Sequence, residues 1–257
     1  MNNMNQNGRS MIEMLGVLAI IGVLSVGGIA GYSKAMLKYK TNKLIDQVTM
    51  LTTNIRTLYG QQKTFSGLDG RRVKDGALVS GYNVDTNEGA SAIAMGVVPD
   101  DMIVSITDGS TTSQTIQNPF SGTYTLRIDS SIPNAAGYGR AFVIGINGIP
   151  KDACMAMATS DWGSNSSSGL IGMAIHNQGG PAADDLYSAI NSKSATAYAG
   201  SDCGVSTTKG VLGTGTSVSA SAAEGAICAA HMPLNVAAAA KACACQGSNC
   251  SVAIKYY

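Results

Sequence analysis

Residues 8–31 read GRSMIEMLGVLAIIGVLSVGGIAG, and the eighteen residues from 14 to 31 carry no charge. That run reaches the roughly 17 to 25 apolar residues a helix needs to cross a bilayer. A helix buried in a soluble core is rarely apolar all round at the extreme N-terminus. A secretory signal needs a basic leader, an apolar core of about 7 to 15 residues and a small-residue cleavage site. The preceding MNNMNQNG has neither Lys nor Arg, and the apolar run passes without interruption into KAMLKYKTNKLIDQVTMLTTNIRTLYGQ at residues 34–61.

In that continuation Leu37, Leu44, Ile45, Val48, Leu51, Ile55, Leu58 and Tyr59 recur at intervals of three, four and seven, the spacing of an amphipathic helix. No proline interrupts residues 11–62. The spacing therefore predicts one helix of about 50 residues, on the order of 75 to 80 Å long, with a first half suited to lipid and a second half suited to packing on a domain. Glu13 is the exception in the first half. A carboxylate at membrane depth costs at least ~2.5 kcal/mol unless compensated, and marks a functional position unless it lies at headgroup level.

The rest of the chain reads as a globular unit. Its 17 Lys+Arg balance 16 Asp+Glu, which leaves no electrostatic footprint for nucleic acid. The charged fraction of 13% is low, and 31 glycines with long Ser/Thr/Gly/Ala tracts suit an exported protein. Residues 102–107 (MIVSIT), 123–128 (TYTLRI), 141–146 (AFVIGI) and 251–256 (SVAIKY) alternate as strands, with Asn118-Pro119 and Ser121-Gly122 as turn signals. Pro150, Pro181 and Pro233 each precede a run compatible with a helix, at 151–162, 182–192 and 234–244. The polar stretches 160–169 and 199–223 read as surface loops.

Six cysteines, Cys154, Cys203, Cys228, Cys243, Cys245 and Cys250, are an even set clustered in the C-terminal part, and read as a disulfide framework. Six thiols allow fifteen connectivities, and spacing alone does not choose among them. Zinc is the weaker reading, because Cys243-Ala-Cys245 lacks the usual gap of a zinc knuckle. A search for catalytic chemistry finds no constellation. His176 and His231 are the two histidines and have no partner at metal-ligand spacing. Asp100, Asp101 and Asp108, with Asp85 and Glu88, depart from EF-hand spacing and read better as solvated loop acids than as a calcium site. Trp162 and the ten tyrosines read as packing, loop-anchoring or adhesive side chains. No enzyme activity, cofactor or metal is expected.

The motif Gly8-Arg9-Ser10-Met11-Ile12-Glu13-Met14-Leu15, followed by the apolar stretch, closely resembles the prepilin N-terminal motif of type IV pilins and pseudopilins. The resemblance implies cleavage after Gly8 by a prepilin peptidase, methylation of Arg9 and an assembly role for Glu13. It divides the chain into a leader (1–8), a long N-terminal helix (9–62, apolar over about 14–31) and a globular α+β head (63–257). In this α+β, type IV pilin fold the apolar half of the helix protrudes, the amphipathic half lies on an antiparallel sheet, and the head is disulfide-bonded. Implied partners are other copies of the chain in a helical filament, the peptidase, an assembly platform in the inner membrane and the membrane itself, with no nucleic acid. A single-pass precursor with a periplasmic head would then become an extracellular pilus. A pseudopilin of a secretion or DNA-uptake system is the alternative.

Four features depart from the family pattern. Arg9 replaces an apolar first residue, the leader lacks the usual basic residues, no proline kinks the helix, and Lys34, Lys38, Lys40 and Lys43 follow the apolar run on the side to be exported. The head, with Ile149-Pro150-Lys151-Asp152-Ala153-Cys154 and a cysteine pair before the final strand, is similar to type IVb heads. That similarity implies Cys154 bonded to Cys243 or Cys245, Cys250 bonded to the other of the two, and Cys203 bonded to Cys228.

Overall fold

This computed structural model describes residues 11–62, 65, 68, 73–74, 77–78, 92–93, 95–108, 111–128, 141–163, 168–176, 224–229, 232–247 and 250–257. Helix α1 runs Met11–Tyr59, 49 residues without a break. It ends at Gly60, a residue that weakens helix continuation. The chain divides into two compact units within this helix, Met1–Asn42 and Lys43–Tyr257.

In the second unit, the α1 positions predicted from spacing form the packed stripe. Leu44, Val48, Leu51 and Ile55 are fully buried and Tyr59 nearly so, whereas Leu58 is exposed, contrary to the reading that put it on the packed face. At about 100° per residue Leu58 lies only about 20° round the helix from Leu51, on the margin of the stripe in the last turn of α1, so its exposure does not follow from its helical phase.

Two antiparallel sheets complete the unit. The smaller has the order β2-β1-β4-β3, built from β1 (Val73–Lys74), β2 (Ala77–Leu78), β3 (Ile103–Asp108) and β4 (Thr111–Ile116). Strand β4, TTSQTI, has too little apolar alternation to announce itself, and is held by pairing with β3 from Ile103↔Ile116 to Asp108↔Thr111. Met102 belongs to a short 3-10 turn before β3.

The larger sheet has the order β5-β6-β9-β7-β8, from β5 (Tyr124–Ile128), β6 (Phe142–Ile149), β7 (Leu170–His176), β8 (Glu224–Cys228) and β9 (Cys250–Tyr256). The last strand of the chain is its centre. Register builds apolar rows across it: Leu126, Ile144, Ile254, Met173 and Ile227 in one, Tyr124, Ile146, Val252 and Ile175 in the next. All of these belong to the buried core, together with the α1 stripe. Every residue of β9 is buried, so both faces of that strand are covered, Lys255 included.

The predicted turn at 118–122 is built around the Asn118 side chain. Its Oδ1 accepts from the backbone of Phe120 and Gly122, and its Nδ2 donates to the Asn147 carbonyl at 2.7 Å. A Cβ at Gly122 would overlap that same carbonyl, so the turn requires glycine there. The turn joins β4 to β5.

Helices α2 (Lys151–Thr159) and α3 (Val236–Ala242) begin after Pro150 and Asn235. The Asn235 carboxamide accepts from Ala238 N, satisfying one of the donors left open in a first helical turn. The predicted helix at 182–192 lies outside the described residues, as does most of the two polar loops. Strands β7 and β8 were not anticipated from the sequence, since β8 (EGAIC) consists mainly of small side chains and becomes a strand by pairing with β7.

Candidate functional site: the long helix and the head that carries its second half

Along α1 every side chain from residue 11 to 34 is exposed. Met11 is 82% exposed and Val23 75%, and one 18-residue window has a mean hydropathy of 2.2. Monomeric soluble proteins seldom expose contiguous apolar patches beyond a few hundred Å², so a surface of this kind marks an interaction with lipid or protein. Glu13 stands in the first turn of this helix and is the single charged residue between positions 11 and 33. An acid in the first turn is favoured by the helix dipole by roughly 0.3 to 1 kcal/mol. Gly8 and Arg9 lie outside the described residues.

The second half of α1 is fixed to the head by polar as well as apolar contacts. Tyr124 donates its hydroxyl to Gln47 Oε1 at 3.0 Å, a buried pair, and burial pushes the Tyr124 phenol well above its ordinary range. Asn54 donates to the Val97 carbonyl at 2.9 Å. Lys43 pairs with Asp101 at 3.5 Å on the surface, where such a pair adds roughly 0 to 1 kcal/mol. An aromatic chain then links the helix end to the sheet: Tyr59, Phe65, Phe142 and Tyr256 follow one another with ring centroids 5.3, 4.8 and 5.6 Å apart. Arg56 caps that chain, its guanidinium carbon 4.9 Å from the Tyr256 ring centre. The Tyr256 phenol is pushed up to about 12, chiefly by burial, against the opposing effects of a hydrogen bond with Thr52 and the Arg56 charge.

Two disulfides tie the C-terminal region. Cys154 in α2 is bonded to Cys243 just beyond α3, with 5.8 Å between Cα atoms, and Cys245 is bonded to Cys250 at the start of β9, with 5.5 Å. Cys228 is also disulfide-bonded, and Cys203 lies outside the described residues. The first bridge joins the two short helices that contact each other and holds α3 against α2, the helix that itself contacts the central strand.

Of the other residues singled out from sequence, His176 sits at the end of β7 opposite Glu224 and Ser251, and His231, Asp85 and Glu88 lie outside the described residues. Asp100 and Asp101 occupy the 3-10 turn and Asp108 the end of β3. Among the described residues no three His, Cys, Asp or Glu side chains gather as metal ligands would. Trp162 is partly buried and donates Nε1 to the Met157 carbonyl at 2.7 Å, anchoring the segment after α2. Sequence reasoning passed over Arg56, which carries no motif and is recognisable only by what surrounds it.

A long N-terminal helix laid by its second half on an antiparallel sheet, with a disulfide-bonded head, is the α+β architecture that the N-terminal motif led one to expect. The chain belongs to the PilS N-terminal family, whose model matches residues 38–216. Among solved structures it is similar to the type IV b pilin from Salmonella typhi, at 16% identity and a TM-score of 0.40 over 84% of this chain and 97% of that one. It is also similar to TcpA, a type IV pilin from Vibrio cholerae El Tor biotype, at 14% identity and a TM-score of 0.44 over 85% of this chain and 99% of that one. No curated protein sequence matches it.

Proposed function

We propose that this chain is the structural subunit of a type IV pilus. It is held in the inner membrane by the first half of α1 with its head in the periplasm, then transferred into an extracellular helical filament of its own copies that serves adhesion, aggregation or motility. The observation that carries the reading is the exposed apolar half of α1 with Glu13 as its lone charge. Eighteen helical residues extend about 27 Å, close to the roughly 30 Å hydrocarbon core, so one surface suits two environments in turn. Lipid tails and apolar side chains of neighbouring subunits solvate it about equally well, so the exchange is nearly neutral and other interactions set the alignment.

Glu13 supplies that alignment. Cleavage after Gly8 by a prepilin peptidase frees an amine on Arg9, which is then methylated and remains cationic. In a heterologous helical polymer the Glu13 carboxylate of one subunit meets the N-terminal amine of the next. Two charges that are each costly in a low-dielectric bundle are tolerated as a pair, and deleting one costs roughly 3 to 5 kcal/mol at each contact. An assembly platform in the inner membrane performs the extraction.

The test combines Glu13→Ala with electron microscopy of sheared surface material and mass spectrometry of the subunit. Wild-type cells are expected to yield fibres whose subunit begins at methylated Arg9. The variant is expected to remain in the membrane fraction with fibres lost. Normal fibre numbers from Glu13→Ala would overturn the alignment role, and an unprocessed N-terminus in assembled fibres would overturn the processing scheme.

A further inference from the structure

Just past the apolar run, which closes at Gly31, the first half of α1 turns cationic. Lys34 and Lys38 are both exposed, and Glu13 is the single acid between positions 11 and 45. At about 100° per residue the two lysines lie about 40° apart on the helix, so their ammonium groups share one face. Like charges at this spacing repel each other. Among the described residues neither lysine has an ion-pair partner, whereas Lys43 further along is held by Asp101. Tyr32 and Tyr39, 65% and 63% exposed, stand seven residues apart on the opposite side of the helix.

The depth of these side chains follows from the helical rise. Lys34 lies about 4.5 Å and Lys38 about 10.5 Å beyond Gly31 along the axis. The polar layer of a bilayer adds roughly 5 to 7 Å on each side of the hydrocarbon. Helical side chains lean toward the N-terminus, here toward the membrane, so the Lys38 stem returns its ammonium to the layer that Lys34 already occupies. Tyr32 stands at the hydrocarbon boundary, where a ring with a polar tip is favoured. Cationic side chains are disfavoured on the exported side of a membrane span. A lysine pair placed there against that bias calls for an anion, and the anions nearest a helix emerging from hydrocarbon are lipid phosphates.

We propose that Lys34 and Lys38 together hold the headgroup of an anionic phospholipid, while Tyr32 and Tyr39 seat the other side of the helix in the same layer. This contact rests on the membrane-held precursor proposed above and names its lipid partner. A lipid of net negative charge is favoured over a zwitterionic one, because the cation of a zwitterionic headgroup cancels the field of its phosphate. Each lysine close to an anionic surface contributes a factor of about five in association. Transfer into a filament breaks the contact, so the pair also grades how firmly the precursor is held.

The experiment reconstitutes the full-length chain in phosphatidylcholine vesicles carrying a trace of spin-labelled phosphatidylglycerol or spin-labelled phosphatidylcholine. Electron paramagnetic resonance then measures the fraction of each label held at the protein. Phosphatidylglycerol is expected to associate at least about fivefold more strongly, falling toward parity in about 1 M salt, where the Debye length is about 3 Å. The double variant Lys34→Gln, Lys38→Gln is expected to bring the ratio to about one, and Lys34→Arg, Lys38→Arg to preserve it. Lys241→Gln, at an exposed position of the head, is expected to leave it unchanged. Equal association of the two lipids with the wild-type chain would overturn the proposal, as would a preference that survives in the glutamine double variant or disappears in Lys241→Gln. Lipid parity together with fewer fibres from the double variant would assign the pair to a neighbouring subunit instead. A chain that alkaline carbonate washes off the vesicles would overturn the membrane reading itself, whereas one that stays inserted without lipid preference would overturn the headgroup contact alone.

Discussion

Paired alanine substitution at Cys154 and Cys243 should destabilise the head far more than the same change at Cys245 and Cys250. The two bridges close loops with sequence separations of 89 and 5 residues. In the chain-entropy description a crosslink removes about 2.1 + 1.5R ln n cal/mol/K from the unfolded ensemble. At 25 °C that amounts to about 4.6 kcal/mol for the long loop and about 2 kcal/mol for the short one. Cavity effects largely cancel in the comparison, because the cysteines of both pairs are 9% exposed or less. Neither loop contains the other, so the losses should add when both bridges are removed.

The assay is urea unfolding of the oxidised full-length chain, followed by the fluorescence of Trp162, which is anchored to α2. With a slope of about 2 kcal/mol/M, the midpoint should fall by about 2.3 M for the first pair and about 1 M for the second. Equal shifts, or a larger shift for the short loop, would refute loop closure as the source of the stabilisation. They would point instead to local packing of the bridges.

Two further outcomes follow from the helix and the aromatic chain. Ile55→Ala should cost about 2 to 5 kcal/mol, since Ile55 is fully buried, while Leu58→Ala, one turn on but 43% exposed, should stay within about 0.5 kcal/mol in the same unfolding assay. Tyr256 sets an alkaline limit. Its phenol is neutral in both states below pH 10, but between about pH 10 and 12 the unfolded chain loses this proton first. Stability should therefore decline across that window, by an amount on the order of 3 kcal/mol from this group, and the decline should be shallower in Tyr256→Phe when urea midpoints are compared at successive pH values.

Much of this protein is legible from local pattern. An apolar run of eighteen residues and a stripe at intervals of three, four and seven need no knowledge of distant residues to be read as a helix with two different halves, and α1 follows that pattern from Met11 to Tyr59. SVAIKY reads as a strand for the same reason, because alternation is a property of neighbours in sequence. The short helices are signalled by Pro150 and Pro233, although α3 starts only at Val236, after the Asn235 cap that the sequence reading did not single out. Strands β4 and β8 were not legible, since TTSQTI and EGAIC owe their conformation to partners across the sheet.

The amino-acid sequence by itself determined where the chain is greasy, where it is amphipathic and which acid stands alone among apolar residues, because these depend on composition and period. Tertiary structure alone decided that the last strand enters the middle of the sheet between β6 and β7, and that Cys154 meets Cys243 rather than Cys245. It alone set Arg56 against Gly169 and a ring of aromatics. The physical reason is one of distance along the chain. Any alternating strand can pair with several others and any thiol with five more, and the choice falls to the arrangement that buries both faces of β9 at once.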